Sequence, residues 1–122
     1  MKKSKTNDKK YKFTAYGEKF TIILAKGNYA SNGTLAVEMI CVDSKGVEEP
    51  FASLTVNIAD SDKYANNKDL AFVDTNNLGM SIMQWLIDND IAEETDIVGF
   101  SGYCMYSLMK FKNEALVSMR SM

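Results

Sequence analysis

The side chains in this sequence best equipped for chemistry are its carboxylates. They fall into four close pairs: Glu48-Glu49, Asp60-x-Asp62, Asp88-x-Asp90 and Glu93-Glu94. Paired acids can divide general acid and base roles, and a DxD element can hold Mg²⁺ or Mn²⁺ where further oxygen ligands converge. Neither DxD element here is followed by an acid at the fourth and a glycine at the fifth residue after its first Asp, so an EF-hand loop is excluded. The chain has no histidine, which removes Ser-His-Asp and Cys-His catalysis, His-based metal centres and the commonest general base. The glycine pair in "GFSGY" at 99-103 does not fit GxSxG, since Gly102 directly follows Ser101, and it lacks the length and lysine of a phosphate-binding loop. Cys41 and Cys104 stand alone among apolar neighbours with no CxxC, and read as small buried hydrophobes rather than zinc ligands or a disulfide. The expectation is no enzyme, no catalytic residue, no metal and no cofactor.

The elements that position these acids begin with size and charge. A chain of 122 residues, 46% hydrophobic and 25% charged, fits one globular domain. Its apolar runs are too short to cross a bilayer and no signal-peptide pattern follows the first lysines, so a cytoplasmic protein is expected. The net charge of -2 hides a division. Residues 1-12 carry six lysines against Asp8, +5 in all, while the remaining 110 residues hold 15 acids and eight bases, a net of -7. We read residues 1-10 as a basic disordered leader, 11-112 as a single domain, and 113-122 as a short terminal helix or frayed tail. The acidic body repels nucleic acid and suits a basic protein surface, whereas the lysine leader does the reverse.

Within the domain, "YKFTAYG" and "EKFTIILAKG" predict a hairpin turning at Gly17-Glu18, "TLAVEMICV" a central strand, and "FASLTVNI" after Pro50 another strand. "ADSDKYANNKD" reads as a surface loop and "LAFVDT" as a short strand. Asn76 or Asn77 is expected to cap a helix over about 78-89, where Leu78, Ile82, Trp85 and Leu86 form one apolar stripe. The acids and amide at 88-90 predict a stop and an exposed turn, and "GYCMYSLMKF" predicts the closing strand. The fold class is therefore α+β: a mainly antiparallel sheet of five or six strands, packed on one face by a single main helix. On such a sheet the acids at 48-49 and 60-62 sit at opposite edges and cannot converge on one reacting atom. Phe100, Tyr103 and Tyr106 could stack bases, but the surrounding acids disfavour that use. Five methionines in the last third suit an adaptable binding surface.

The stretches "YASNGTLAVEMI", "PFASLTVNI" and "AFVDTNN", followed by a helix and a glycine-tyrosine start to the last strand, resemble a family of small uncharacterised proteins carried on plasmids, phages and integrative elements of gut bacteria. The resemblance spans about residues 28-108. It implies a mobile-element accessory protein of the bacterial cytoplasm, and some similar proteins are anti-CRISPR inhibitors that bind a Cas effector. The expected partner is then a Cas9-type effector ribonucleoprotein. Glu48, Glu49, Asp60, Asp62, Asp88, Asp90, Glu93 and Glu94 are the expected partner-binding residues. The alternative is a nucleic-acid-associated factor of plasmid conjugation or replication that uses the Lys-rich N-terminal arm.

Overall fold

The computed structural model describes residues 8-122; of the basic leader, residues 1-7 lie outside the described residues. Strands β1 (Tyr11–Ala15) and β2 (Glu18–Asn28) form the expected hairpin, with Tyr16 and Gly17 both at positive φ in the two-residue turn between Ala15 and Glu18. That backbone twist is the one a two-residue hairpin loop requires, and Gly17 accepts it at no cost. β3 (Leu35–Val42) pairs antiparallel with β2 on one side and with β4 (Glu48–Ser53) on the other. β2 is buried continuously over Ile22–Ala25, as a central strand should be.

The stretch "FASLTVNI" is not one strand. It breaks at Leu54, where the chain passes from the first sheet to a second. The Leu54 N–H donates to the Val37 carbonyl (2.9 Å), and its own carbonyl accepts from Asp74 N–H (2.9 Å). The residue thus satisfies both backbone groups in different layers, and its side chain is fully buried. Beyond it, β5 (Thr55–Val56), β6 (Leu70–Val73), β8 (Cys104–Phe111) and β7 (Ala92–Ser101) build a four-stranded antiparallel sheet in that spatial order. The expected single sheet of five or six strands is therefore two sheets, one of five strands and one of four. The α+β class with mainly antiparallel pairing holds.

The predicted helix over 78-89 is two pieces, α1 (Thr75–Leu78) and α2 (Ser81–Asp88), interrupted by Gly79 at φ 86°. Neither Asn76 nor Asn77 is the cap. Asp74 is, its carboxylate accepting Asn77 N–H at 3.2 Å and the Asn77 side-chain amide at 2.8 Å. The apolar stripe survives the break: Ile82 and Leu86 are buried, and Leu78, Met83 and Trp85 pack against the same core. Trp85 stands edge-on to Tyr11 and Phe13 and donates its indole N–H to the Lys12 carbonyl at 2.7 Å, fastening α2 to β1.

The largest departure is β7. Residues 91-101 carry acids at 93, 94 and 96 and bury only Ile91, Ala92 and Gly99, so no period-2 pattern announces a strand. The last ten residues are ordered: α3 (Asn113–Ser118) is followed by β9 (Arg120–Ser121), which pairs parallel with β2 at Ala25 and Lys26. One core of side chains from both sheets, α2 and α3 fills the space between the layers. A second, smaller cluster of Ile58, Phe72, Tyr106 and Leu108 lies on the other face of the second sheet. It is flanked by a 3₁₀ turn over Ala59–Tyr64, inside the stretch expected to be plain loop.

Candidate functional site

Five of the eight acids, Glu48, Asp60, Asp62, Asp88 and Asp90, hold hydrogen bonds or ion pairs within the fold. Glu48, at the start of β4, is half-buried, and both its oxygens accept from Arg120 at 2.7 Å. Asp60, in the 3₁₀ turn, accepts the Phe100 N–H on Oδ2 at 3.0 Å and lies 3.9 Å from the Lys63 ammonium. Asp62 accepts the Asn32 amide at 2.7 Å, which ties the β2–β3 loop to the 3₁₀ turn. Asp88 accepts the Gln84 amide one helical turn back, and Asp90, in the left-handed region at φ 57°, pairs with Lys112 at 3.3 Å.

Asp62, Asp88 and Asp90 are exposed despite these bonds, and so are the remaining Glu49, Glu93 and Glu94, to which the structure adds Asp96. Glu49 sits across from Cys41 on the first sheet. Burial pushes the Cys41 thiol above its ordinary pKa, and Glu49 and Asp43 add to the shift by disfavouring a second negative charge. Glu93, Glu94 and Asp96 lie on β7, an edge strand of the second sheet. The structure thus separates 48-49 from 93-94 by placing them in different sheets, and brings Asp60 to β7 from a distant turn. Among the described residues no group of three or more acids and cysteines is arranged to hold a metal ion.

What the acids share β7 with is apolar. Ten large apolar side chains are exposed among the described residues, and five of them, Ile97, Val98, Phe100, Tyr103 and Met105, fall within nine positions of the β7–β8 hairpin. Register explains why they cluster. Phe100 faces Met105 and Val98 faces Ser107, and because successive side chains alternate, these four share a face with Met109 and Phe111 further along β8. Met109 and Phe111 are fully buried in the main core. The core-facing side of the second sheet is therefore buried at Met109 and Phe111 and exposed at Val98, Phe100 and Met105.

The opposite face of the same hairpin is closed. A Cβ on Gly99 would stand 2.8 Å from the Phe72 ring and 3.0 Å from Asp60 Oδ2, so only glycine lets β7 approach this closely. Gly102 at φ 60° takes the first position of the two-residue turn, and Tyr103, the second, projects fully into solvent. Between Glu94 and Val98 the register slips, with Asp96 at φ 67° and the Thr95 hydroxyl donating to the Leu108 carbonyl at 2.7 Å. This bulge separates an acidic segment, 93-96, from an apolar one, 97-105.

Phe100 and Tyr103 are candidate stacking residues and Met105 an adaptable methionine by sequence, but the strand that unites them with Glu93 and Glu94 emerges only in the fold. The signal available was the Gly102-Tyr103 dipeptide between two apolar segments, a hairpin turn rather than the start of a strand.

The chain belongs to a family described as a domain of unknown function, DUF4313, whose model matches residues 23-121. No curated protein and no solved structure matches it.

Proposed function

We propose that the protein is a non-enzymatic binding module whose partner-facing surface is the β7–β8 hairpin. The observation that carries this reading is the concentration of exposed apolar side chains at Ile97–Met105 beside the exposed carboxylates of Glu93, Glu94 and Asp96. Contiguous apolar surface on a protein of this size is costly to leave in water and marks interaction sites. Aromatic residues and methionine at the centre of such a patch, with charge at its margin, are the composition of a protein–protein interface. The fitting partner presents an apolar depression bordered by lysine or arginine.

The resemblance to mobile-element proteins gives that partner a candidate identity: a Cas9-type effector ribonucleoprotein in the bacterial cytoplasm, which this protein would inhibit. An acidic body suits a channel lined for phosphates, and inhibition needs a shaped surface rather than a reaction. Of the eight acids first considered, Glu93 and Glu94 are the ones this reading retains at the centre of the contact. Glu48, Asp60, Asp62, Asp88 and Asp90 spend at least one oxygen on intramolecular partners, and Glu49 lies on the other sheet.

The test is co-purification with a guide-loaded Cas9-type effector, followed by target cleavage with and without the protein. Stoichiometric capture with loss of cleavage is expected, and the double variant Phe100→Asp/Tyr103→Asp should release the effector while retaining native circular dichroism. Capture unaffected by that variant would overturn the hairpin as the contact. No capture of any effector tried, together with salt-sensitive DNA binding that requires residues 1-12, would replace this reading with the lysine-arm alternative.

A further inference from the structure

At the end of the molecule where β9 docks, the chain forms a second feature independent of the hairpin. A cleft of about 450 Å³ opens between β2, α3 and the loop preceding β6, lined among others by Lys26, Asn28, Leu35, Lys68, Asn113 and Leu116. No aspartate or glutamate side chain is among its lining residues, on a body whose residues after 12 carry a net charge of -7.

Lys26 is the anomaly. Along β2 the residues facing the main core are Ile22 and Leu24, exposed by 0% and 3%. Lys26 is the next residue on that face, where the alternation calls for another apolar side chain. It is only half-exposed, and its ammonium makes no ion pair or hydrogen bond among the described residues. A lysine stem can cover apolar wall while its ammonium stays at the mouth of the cleft, placed to meet an entering anion. Lys68 brings a second ammonium to the cleft, likewise without a partner among the described residues. Asn113 brings a further amide to the lining, while the Asn28 amide donates to the Gly33 carbonyl at 3.0 Å and Leu35 and Leu116 supply apolar wall.

We infer that this cleft binds a small organic anion, a phosphate or carboxylate head lodged between Lys26 and Lys68 with an apolar body against Leu35 and Leu116. A point-charge ammonium pair suits either head group without demanding the bidentate geometry an arginine would impose.

The test is a ¹⁵N amide titration of the full chain with inorganic phosphate, hexyl phosphate, hexanoate and, as a neutral control, hexanol. Saturable shifts confined to amides around Lys26, Lys68 and Asn113 are expected, with hexyl phosphate binding more tightly than inorganic phosphate. Lys26→Gln should weaken hexyl phosphate about tenfold, the loss of one charge-assisted hydrogen bond. Lys110→Gln, on the exposed side of β8, should change nothing. A dispersed spectrum of each variant establishes that it folds. Shifts that fail to saturate, equal affinity in Lys26→Gln and the unaltered chain, or hexanol acting like hexyl phosphate would each overturn the assignment. Tight binding of hexanoate but not of the phosphates would keep the site and restrict its ligand to carboxylates.

Discussion

Arg120, the single arginine of the chain, closes two hydrogen bonds of 2.7 Å on the carboxylate of Glu48, 72 positions earlier. A third, at 2.8 Å, reaches Asp8, so one guanidinium joins the entry of the described chain, the first residue of β4 and the β9 strand beside β2. Planar donors in a fixed fork suit two carboxylates at once, which a lysine cannot reproduce. Its carboxylate partners hold the guanidinium even more firmly protonated than usual.

Removing that fork takes the guanidinium from both carboxylates at once. Arg120→Met should destabilise the protein by about 2–3 kcal/mol, below the range for a fully buried pair because some solvent reaches the site. Arg120→Lys should recover only part of the loss. Urea unfolding followed through Trp85 fluorescence measures both, and a loss under about 0.5 kcal/mol would assign the clasp a surface role.

Gly99 is set by contact rather than by backbone freedom. Gly99→Ala drives a methyl group into the Phe72 ring and the Asp60 carboxylate, and overpacking of this kind costs about 1–3 kcal/mol. The same measurement applied to Gly46→Ala, where nothing lies within 4 Å but φ is 84°, separates steric from conformational cost.

Asp60 protects an edge. Its carboxylate takes the outward N–H of Phe100 on β7, and blocking an edge donor discourages pairing with another chain. Asp60→Ala should cost about 1 kcal/mol and raise self-association, seen as a concentration-dependent mass in light scattering. A variant that stays monomeric at every concentration would assign the bond to local stability alone.

Alkaline pH should unfold the protein through groups held neutral. Burial raises the pKa of the Cys41 thiol and of the Tyr29 phenol, whose oxygen lies 2.9 Å from the Thr55 hydroxyl. The folded pKa exceeds the unfolded one in both, so their contribution is intact below the unfolded values and is lost as pH climbs through the folded ones. Stability should therefore decline from about pH 9 upward, measured as the urea midpoint against pH. At pH 8 iodoacetamide should label Cys41 more slowly than free cysteine, because thiolate is the reactive form.

Much of the architecture is legible in the residues. The β1–β2 hairpin, β3 and the stripe Ile82–Leu86 follow from alternation, turn glycines and helical spacing, all of them properties of neighbours in sequence. The break at Leu54 is not, because "FASLTVNI" alternates without interruption, and only the carbonyl of Val37 and the amide of Asp74 divide it between two sheets. β7 escapes for the opposite reason. An edge strand that buries little has no hydrophobic period to show, and its pairing is decided by β8 and by the space Gly99 leaves for Phe72.

The candidate site divides along the same line. Composition alone determined that the chain lacks histidine, that its acids come in pairs and that its body is negative, since these need no coordinates. Which acids are held within the fold depended on partners far away in sequence: Arg120 for Glu48, Phe100 for Asp60 and Asn32 for Asp62. The exposure of Phe100 and Met105 was likewise a tertiary outcome. They stand on the core-facing side of their sheet, the side on which Met109 and Phe111 are buried, and yet meet water, because burial is decided by what packs against a face rather than by the alternation within the strand.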